Sequence, residues 1–310
     1  MLSSAVLPVV TIAGVGYVLG RVREVDVDAL ATITIYVLAP ALIFHSLVTT
    51  PIDRGTATRL FVGVAAFTLL LAGIATGVGR ALGESGGTLD ALVLSSSFSN
   101  AGNLGIPLSA FAFGALGRST AVLFLVPQSV LMYTFGVYVA SRGSAGSSRD
   151  ALLSVVRLPL VHAVAAAGLA RAADVVPPAD SAAMEAIKLT GDAAIPVMLL
   201  LLGVQLADSS GGSTVVRTLP ATALKLLVAP AVALGLALVL GLSGTVGRVF
   251  VLECATPVAI TPLMLAVEFG TGGENVSAAD YVSTAILVST LASLATLTGL
   301  IALLQSGLLL

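Results

Sequence analysis

The chain has 310 residues, 57% of them hydrophobic and only 10% charged, against roughly 25% charged in soluble domains. A net charge of −2 without a basic tail excludes nucleic acid as a partner, and a single cysteine, Cys254, excludes an intrachain disulfide. A mean hydropathy of +1.08 is that of a chain whose solvent is a lipid bilayer.

Apolar runs of about 20 residues, each able to cross a hydrocarbon core of roughly 30 Å, recur along the whole chain. They lie near 2–20, 29–48, 58–79, 89–115, 119–141, 151–170, 183–207, 217–241, 246–270 and 278–304, leaving short loops between them. The first is read as a span and not as a leader, because no Lys or Arg precedes Arg21. The expected fold class is an all-α membrane protein of ten transmembrane helices. Landmarks return about 150 residues later: Pro8 as Pro159, Arg21 as Arg171, Pro40 as Pro196 and Pro107 as Pro257. That spacing predicts two five-helix repeats, 1–149 and 150–310. Five is odd, so the second copy enters from the opposite side and the repeat is inverted.

The fourth span carries the chemistry. Its middle, Ser95 to Pro107, holds four serines, Asn100, Asn103, Gly102, Gly105 and a proline. The Pro107 ring opposes the carbonyl of Asn103, so the helix is expected to open there, eased by the two glycines. Opened backbone cannot face lipid and must be enclosed by protein, an arrangement found in secondary transporters. The ninth span repeats the theme, with Pro257 and Pro262 expected to free the carbonyls of Glu253 and Val258. Where two such helices meet, half-helix N-termini favour an anion, and freed carbonyls at the C-terminal ends can hold a cation.

Asn100 and Asn103 are the first substrate contacts to consider, since their amides offer both donors and acceptors. Gly102, Gly105, Pro107 and Pro257 shape the breaks around them, and Gln128 and Thr261 are polar residues that either line the cavity or make packing bonds. Glu253 is the acid nearest the breaks, and intramembrane acids usually carry a function; it is read as a site for a coupling H+ or Na+, or as a neutral structural acid. Lys225, about eight residues into the eighth span, is read first as snorkelling to the interface, and second as compensating an anion or Glu253. Glu185, Lys188 and Asp192 share a helix face as local ion pairs. His45 and His162 are read first as packed or interfacial, and second as a proton relay. Gly83-Glu84-Ser85-Gly86-Gly87 matches a nucleophile-elbow pattern but lies in a short loop without its strand-to-helix setting. No metal-binding or cofactor motif is present.

Several of these stretches resemble the auxin efflux carrier family, which includes plant PIN-type carriers and bacterial malate or malonate carriers. Asn100 to Leu108 is similar to its fourth-helix signature, and Ala39 to His45 to its second helix. Gln128 to Thr134 resembles the fifth, Ala194-Ile195-Pro196 the seventh, and Ala255-Thr256-Pro257 with Ile260-Thr261-Pro262 the ninth. The resemblance implies a scaffold of helices 1, 2, 6 and 7, a transport domain of helices 3–5 and 8–10, and elevator-like export of organic anions. Two positions depart from it. The third span lacks the acid of PIN-type carriers, and Val258 stands where they place a glutamine, which argues against auxin as the substrate. The arginines divide almost evenly between the two sides; with the resemblance, both termini are placed outside the cytoplasm.

The sequence therefore reads as a secondary active transporter of a small organic anion, resident in the cell membrane, not an enzyme, and without a cofactor beyond a coupling H+ or Na+. The alternatives are a sodium-coupled symporter of the related bile-acid type and a non-transporting membrane sensor on the same fold. The expected partners are the anion and the lipid bilayer; the oligomeric state, a homodimer included, is left open.

Overall fold

The computed structural model describes residues 2–49, 52–142, 159–208, 215–269 and 277–310. Among them the regular structure is all helical, and the one β-type contact is an isolated antiparallel bridge between Ser99 and Val258. The first part holds α1 (Leu2–Val22), α2 (Val27–Ile33), α3 (Ala39–Thr49), α4 (Arg54–Ala81), α5 (Gly86–Ser97), α6 (Ile106–Leu131) and α7 (Val137–Ala140). The second holds α8 (Pro159–Ala172), α9 (Ala182–Asp208), α10 (Val215–Ala223), α11 (Ala229–Val239), α12 (Gly244–Ala255), α13 (Thr261–Phe269) and α14 (Ala278–Gln305).

Six stretches of the described chain are long and apolar enough to cross a membrane: Val27–Thr49, Arg54–Ala81, Ala101–Ala140, Ala182–Ala207, Val215–Val239 and Ala278–Gln305. Leu7–Val22 and Pro159–Ala172 are apolar but shorter. Residues 151–158, where the sixth span is expected to begin, lie outside the described residues. The boundary expected between the fourth and fifth spans is a single residue inside α6, Gly114, at φ 66° and ψ −151°. Only glycine takes that conformation without strain. The chain folds back there: a Cβ on Gly117 would overlap the carbonyl oxygen of Ser109, an atom about 12 Å away along a straight helix.

Three prolines shape helices without ending them. π-helical segments at Thr34–Leu38, Ala101–Gly105 and Leu224–Val228 stop two residues before Pro40, Pro107 and Pro230. In each, the residue before the proline donates its N–H five residues back: Ala39 to Thr34, Ile106 to Ala101 and Ala229 to Leu224. A proline ring collides with the carbonyl four residues earlier, and widening the turn by one residue moves that carbonyl aside. Pro107 therefore sits within the first turn of α6, where it costs nothing, and is not the point at which the helix opens.

Polarity is arranged inside out. Leu7, Val18, Tyr36, Leu69, Leu189, Leu227 and Val239 are exposed, whereas Ser97, Ser293, Lys225 and Glu253 are fully buried. A water-soluble fold does the reverse; this is a multi-pass membrane protein, with lipid covering the outer face. Helices in lipid associate by close contact and not by a hydrophobic drive. α1 packs along α9, with Gly16 against the Leu200 backbone and Gly203 against Ala13, where any Cβ would overlap. α3 packs on α8 and α9, while α5 lies against α4, α10 and α14, and α12 against α6 and α11.

Candidate functional site

Two helices are interrupted and their open backbones pair. α5 stops at Ser97, with Phe98 extended at φ −111° and ψ 124°. The hydroxyls of Ser96 and Ser97 donate to the carbonyls of Leu92 and Val93, each at 2.8 Å, the local competition that weakens a helix near its end. α12 stops at Ala255, with Thr256 at φ −62° and ψ 152°, the extended conformation a residue before proline must adopt. The Asn100 N–H donates to the Pro257 carbonyl at 2.8 Å, and the Ala259 N–H to the Phe98 carbonyl at 3.1 Å. These bonds flank the Ser99–Val258 bridge. Groups on the outer edges find side chains: the Ser99 N–H donates to Gln128 Oε1 at 3.2 Å, Gln128 Nε2 donates to the Ser99 carbonyl at 2.9 Å, and the Val258 N–H donates to Ser289 Oγ at 3.1 Å. Each interruption satisfies the other, as backbone excluded from water requires.

This geometry corrects several expectations. The first helix opens at Phe98–Asn100, well before Asn103, and the residue that meets Pro257 is Asn100, not Pro107. By position, the counterpart of Pro107 is Pro262: each is the second residue of a resumed helix, α6 or α13. The Glu253 carbonyl is not free, because it accepts the Thr256 N–H at 3.3 Å and its hydroxyl at 2.8 Å. The released carbonyl is that of Cys254. Gly105, at φ −64° and ψ −52° within the π segment, has a right-handed helical backbone open to any residue; its value is space, since a Cβ there would overlap the Glu253 carboxylate. Gly102 is half-buried with little around it.

Of the two readings of Gln128, the bonds match the packing one: its amide braces the broken backbone through both ends. Asn100 is buried, with its Nδ2 lacking any hydrogen-bond partner. Asn103 and Thr261 are half-buried, the first in the π segment after the break and the second at the start of α13.

Lys225 does not snorkel. It is fully buried, and its Nζ donates to Ser99 Oγ and, at 2.9 Å, to the Cys254 carbonyl, 5.3 Å from the centre of the Phe67 ring. Glu253 is equally buried on the preceding residue: Oε1 accepts from Ser109 Oγ at 2.6 Å, and Oε2 has no partner. The two do not form one of the salt bridges among the described residues. Those are Arg118–Asp192 at 2.8 Å, Lys188–Asp192 at 3.1 Å and Arg142–Asp90 at 3.5 Å. Asp192 thus reaches beyond its own helix, tying α9 to α6, and Ser119 Oγ ties α6 to α3 by donating to the Ser46 carbonyl at 2.9 Å. Two surface concavities lie elsewhere, one bounded by Arg21, Arg23 and Glu24 and another by Tyr36, Phe44 and His162.

Ser99, Ser109, Ser289 and Phe67 join the site without a signal in the sequence. Ser99 stands in a run of serines with nothing to single it out, and its partner Lys225 is 126 residues away.

The family model described as membrane transport protein matches residues 1–301. An uncharacterized transporter of Methanothermobacter thermautotrophicus is 29% identical over 288 residues, covering 92% of this chain and 94% of that protein. An uncharacterized transporter of Methanocaldococcus jannaschii is 22% identical over 299 residues, covering 90% and 93%. With interrupted, mutually paired helices inside an apolar bundle and a match over nearly its whole length, the chain belongs to the membrane transport protein family, that of the auxin efflux carriers.

Proposed function

We propose that the protein is an efflux carrier of a small organic anion, built of ten transmembrane segments in two inverted five-helix repeats whose interrupted fourth and ninth segments cross at mid-membrane. The observation that carries this reading is the unpartnered, buried Nδ2 of Asn100 beside the paired interruptions. A buried donor without an acceptor costs about 1–3 kcal/mol, and an anion's oxygen would satisfy it. The π segment starts at the next residue and runs on into α6 at Ile106, so the positive end of a helix and its free N–H groups adjoin the amide. Asn103 and Gly102 extend the site toward its half-open side.

Asn100 is buried in the present conformation, so loading requires motion. The body formed by α1, α3, α8 and α9 is the static one, and the paired interruptions travel past it, with the Arg118–Asp192 and Ser119–Ser46 contacts holding the state described here. Both termini face away from the cytoplasm. Glu253, with one oxygen unbonded and no part in the salt bridges among the described residues, carries the coupling proton.

A thermal-shift screen of small organic anions on purified protein, repeated with Asn100→Ala, tests the reading. The variant is expected to fold and to bind the selected anion about ten- to a hundredfold more weakly, the value of one charge-assisted hydrogen bond of about 1.5–3 kcal/mol. Unchanged affinity in folded Asn100→Ala would move the site elsewhere.

A further inference from the structure

We propose that Lys225 is a tethered cation: its ammonium occupies a monovalent-cation site at the C-terminal ends of α5 and α12, and the carrier therefore operates without sodium. The second clause rests on the transporter reading; the first does not.

The surroundings of Nζ are those a small free cation would select. They are a hydroxyl oxygen, Ser99 Oγ, a carbonyl oxygen, that of Cys254, and the face of Phe67. Hard cations take oxygen ligands, and an aromatic face adds attraction. No carboxylate neutralises the charge: none of the salt bridges among the described residues includes Lys225. Balance comes from the backbone. Cys254 is the penultimate residue of α12, and Ser99 lies two residues past the end of α5. The last carbonyls of a helix lack internal donors, and each C-terminus carries about half a negative charge. Two such ends sum to roughly one, which matches a single ammonium. Lys225 belongs to the π segment Leu224–Val228, and such bulges commonly serve functional sites.

The charge is covalently attached, so it stays with the crossing whether or not an anion is bound. A free sodium ion would have to displace it from both oxygens. Sodium coupling at this place is thereby excluded.

Melting temperature is measured in detergent at constant ionic strength in sodium, methylammonium or choline chloride, with no substrate present. Wild type is expected to melt at one temperature in all three. Lys225→Ala is expected to melt lower in choline and to recover part of the loss in sodium or methylammonium, whose ions fit the vacated space. Lys225→Met keeps the bulk and is expected to lose stability without recovery. Accumulation of Lys225→Ala only when a small-cation salt is present throughout purification is the same result in stronger form. Should it not accumulate at all, Lys225→Ser, which adds a hydroxyl ligand, takes its place. Sodium stabilisation of wild type over choline, or equal melting of the small variant in all three salts, overturns the proposal. These measurements use no anion, so a failed anion screen leaves the assignment of Lys225 standing or falling on its own melting temperatures.

Discussion

Gly105→Ala isolates the packing of the crossing against its buried acid. A Cβ at this position would overlap Glu253 Oε2 and stand 2.7 Å from the carboxyl carbon and 2.9 Å from Oε1. Ordinary carbon contacts are about 3.5–4.0 Å, so the carboxyl must retreat by about 1 Å. Oε1 is held by Ser109 Oγ at 2.6 Å, and that bond does not survive such a shift. Overpacking costs about 1–3 kcal/mol and the lost bond about 1 kcal/mol more, giving an expected destabilisation of about 2–4 kcal/mol. The loss should depend on the carboxyl: in a Glu253→Ala background the new methyl group enters vacated space, and most of the penalty disappears. Contacting residues couple in this way, whereas independent sites add. The chain has no tryptophan but one cysteine, fully buried, so unfolding is followed by the reaction of Cys254 with a fluorogenic maleimide. An equal loss in both backgrounds, or none in either, would show that Gly105 and Glu253 do not pack as described.

Gln128→Ala leaves the Ser99 N–H without a partner inside the bundle and its carbonyl with only the Ala101 N–H, at about 1–3 kcal/mol for the orphaned donor; a matching drop in unfolding stability is expected, and a neutral variant would return Gln128 to the candidate substrate contacts. Glu253→Gln should continue anion exchange in proteoliposomes while losing its response to an imposed pH gradient; a wild-type response would mark the acid as structural. Cys254 should stay unlabelled by maleimide in native membranes and react fully after denaturation, and fast native labelling would contradict its burial.

The apolar runs, the polar fourth span and the second interruption were legible from the chain alone, because each follows from covalent structure or from solvation. Pro257 has no N–H to continue a helix and forces Thr256 to be extended wherever the segment is placed. Gly114 marks the fold-back in α6 for a similarly local reason. The first interruption has no such determinant. Pro107 offered one, but the widened turn at Ala101–Gly105 absorbs it, and the opening moves to Phe98–Asn100, where Pro257, Ala259 and Gln128 supply the bonds that a continuous helix would have made. The same distinction separates the site residues. That Glu253 and Lys225 lie within apolar spans is a property of the sequence. That Lys225 turns inward to Ser99 and the Cys254 carbonyl, while Glu253 turns to Ser109 and the space left by Gly105, depends on partners brought together by the fold, most of them more than a hundred residues away. Backbone carbonyls and absent side chains carry no signature in sequence, so only the packed bundle could decide which oxygens meet the ammonium and which space admits the acid.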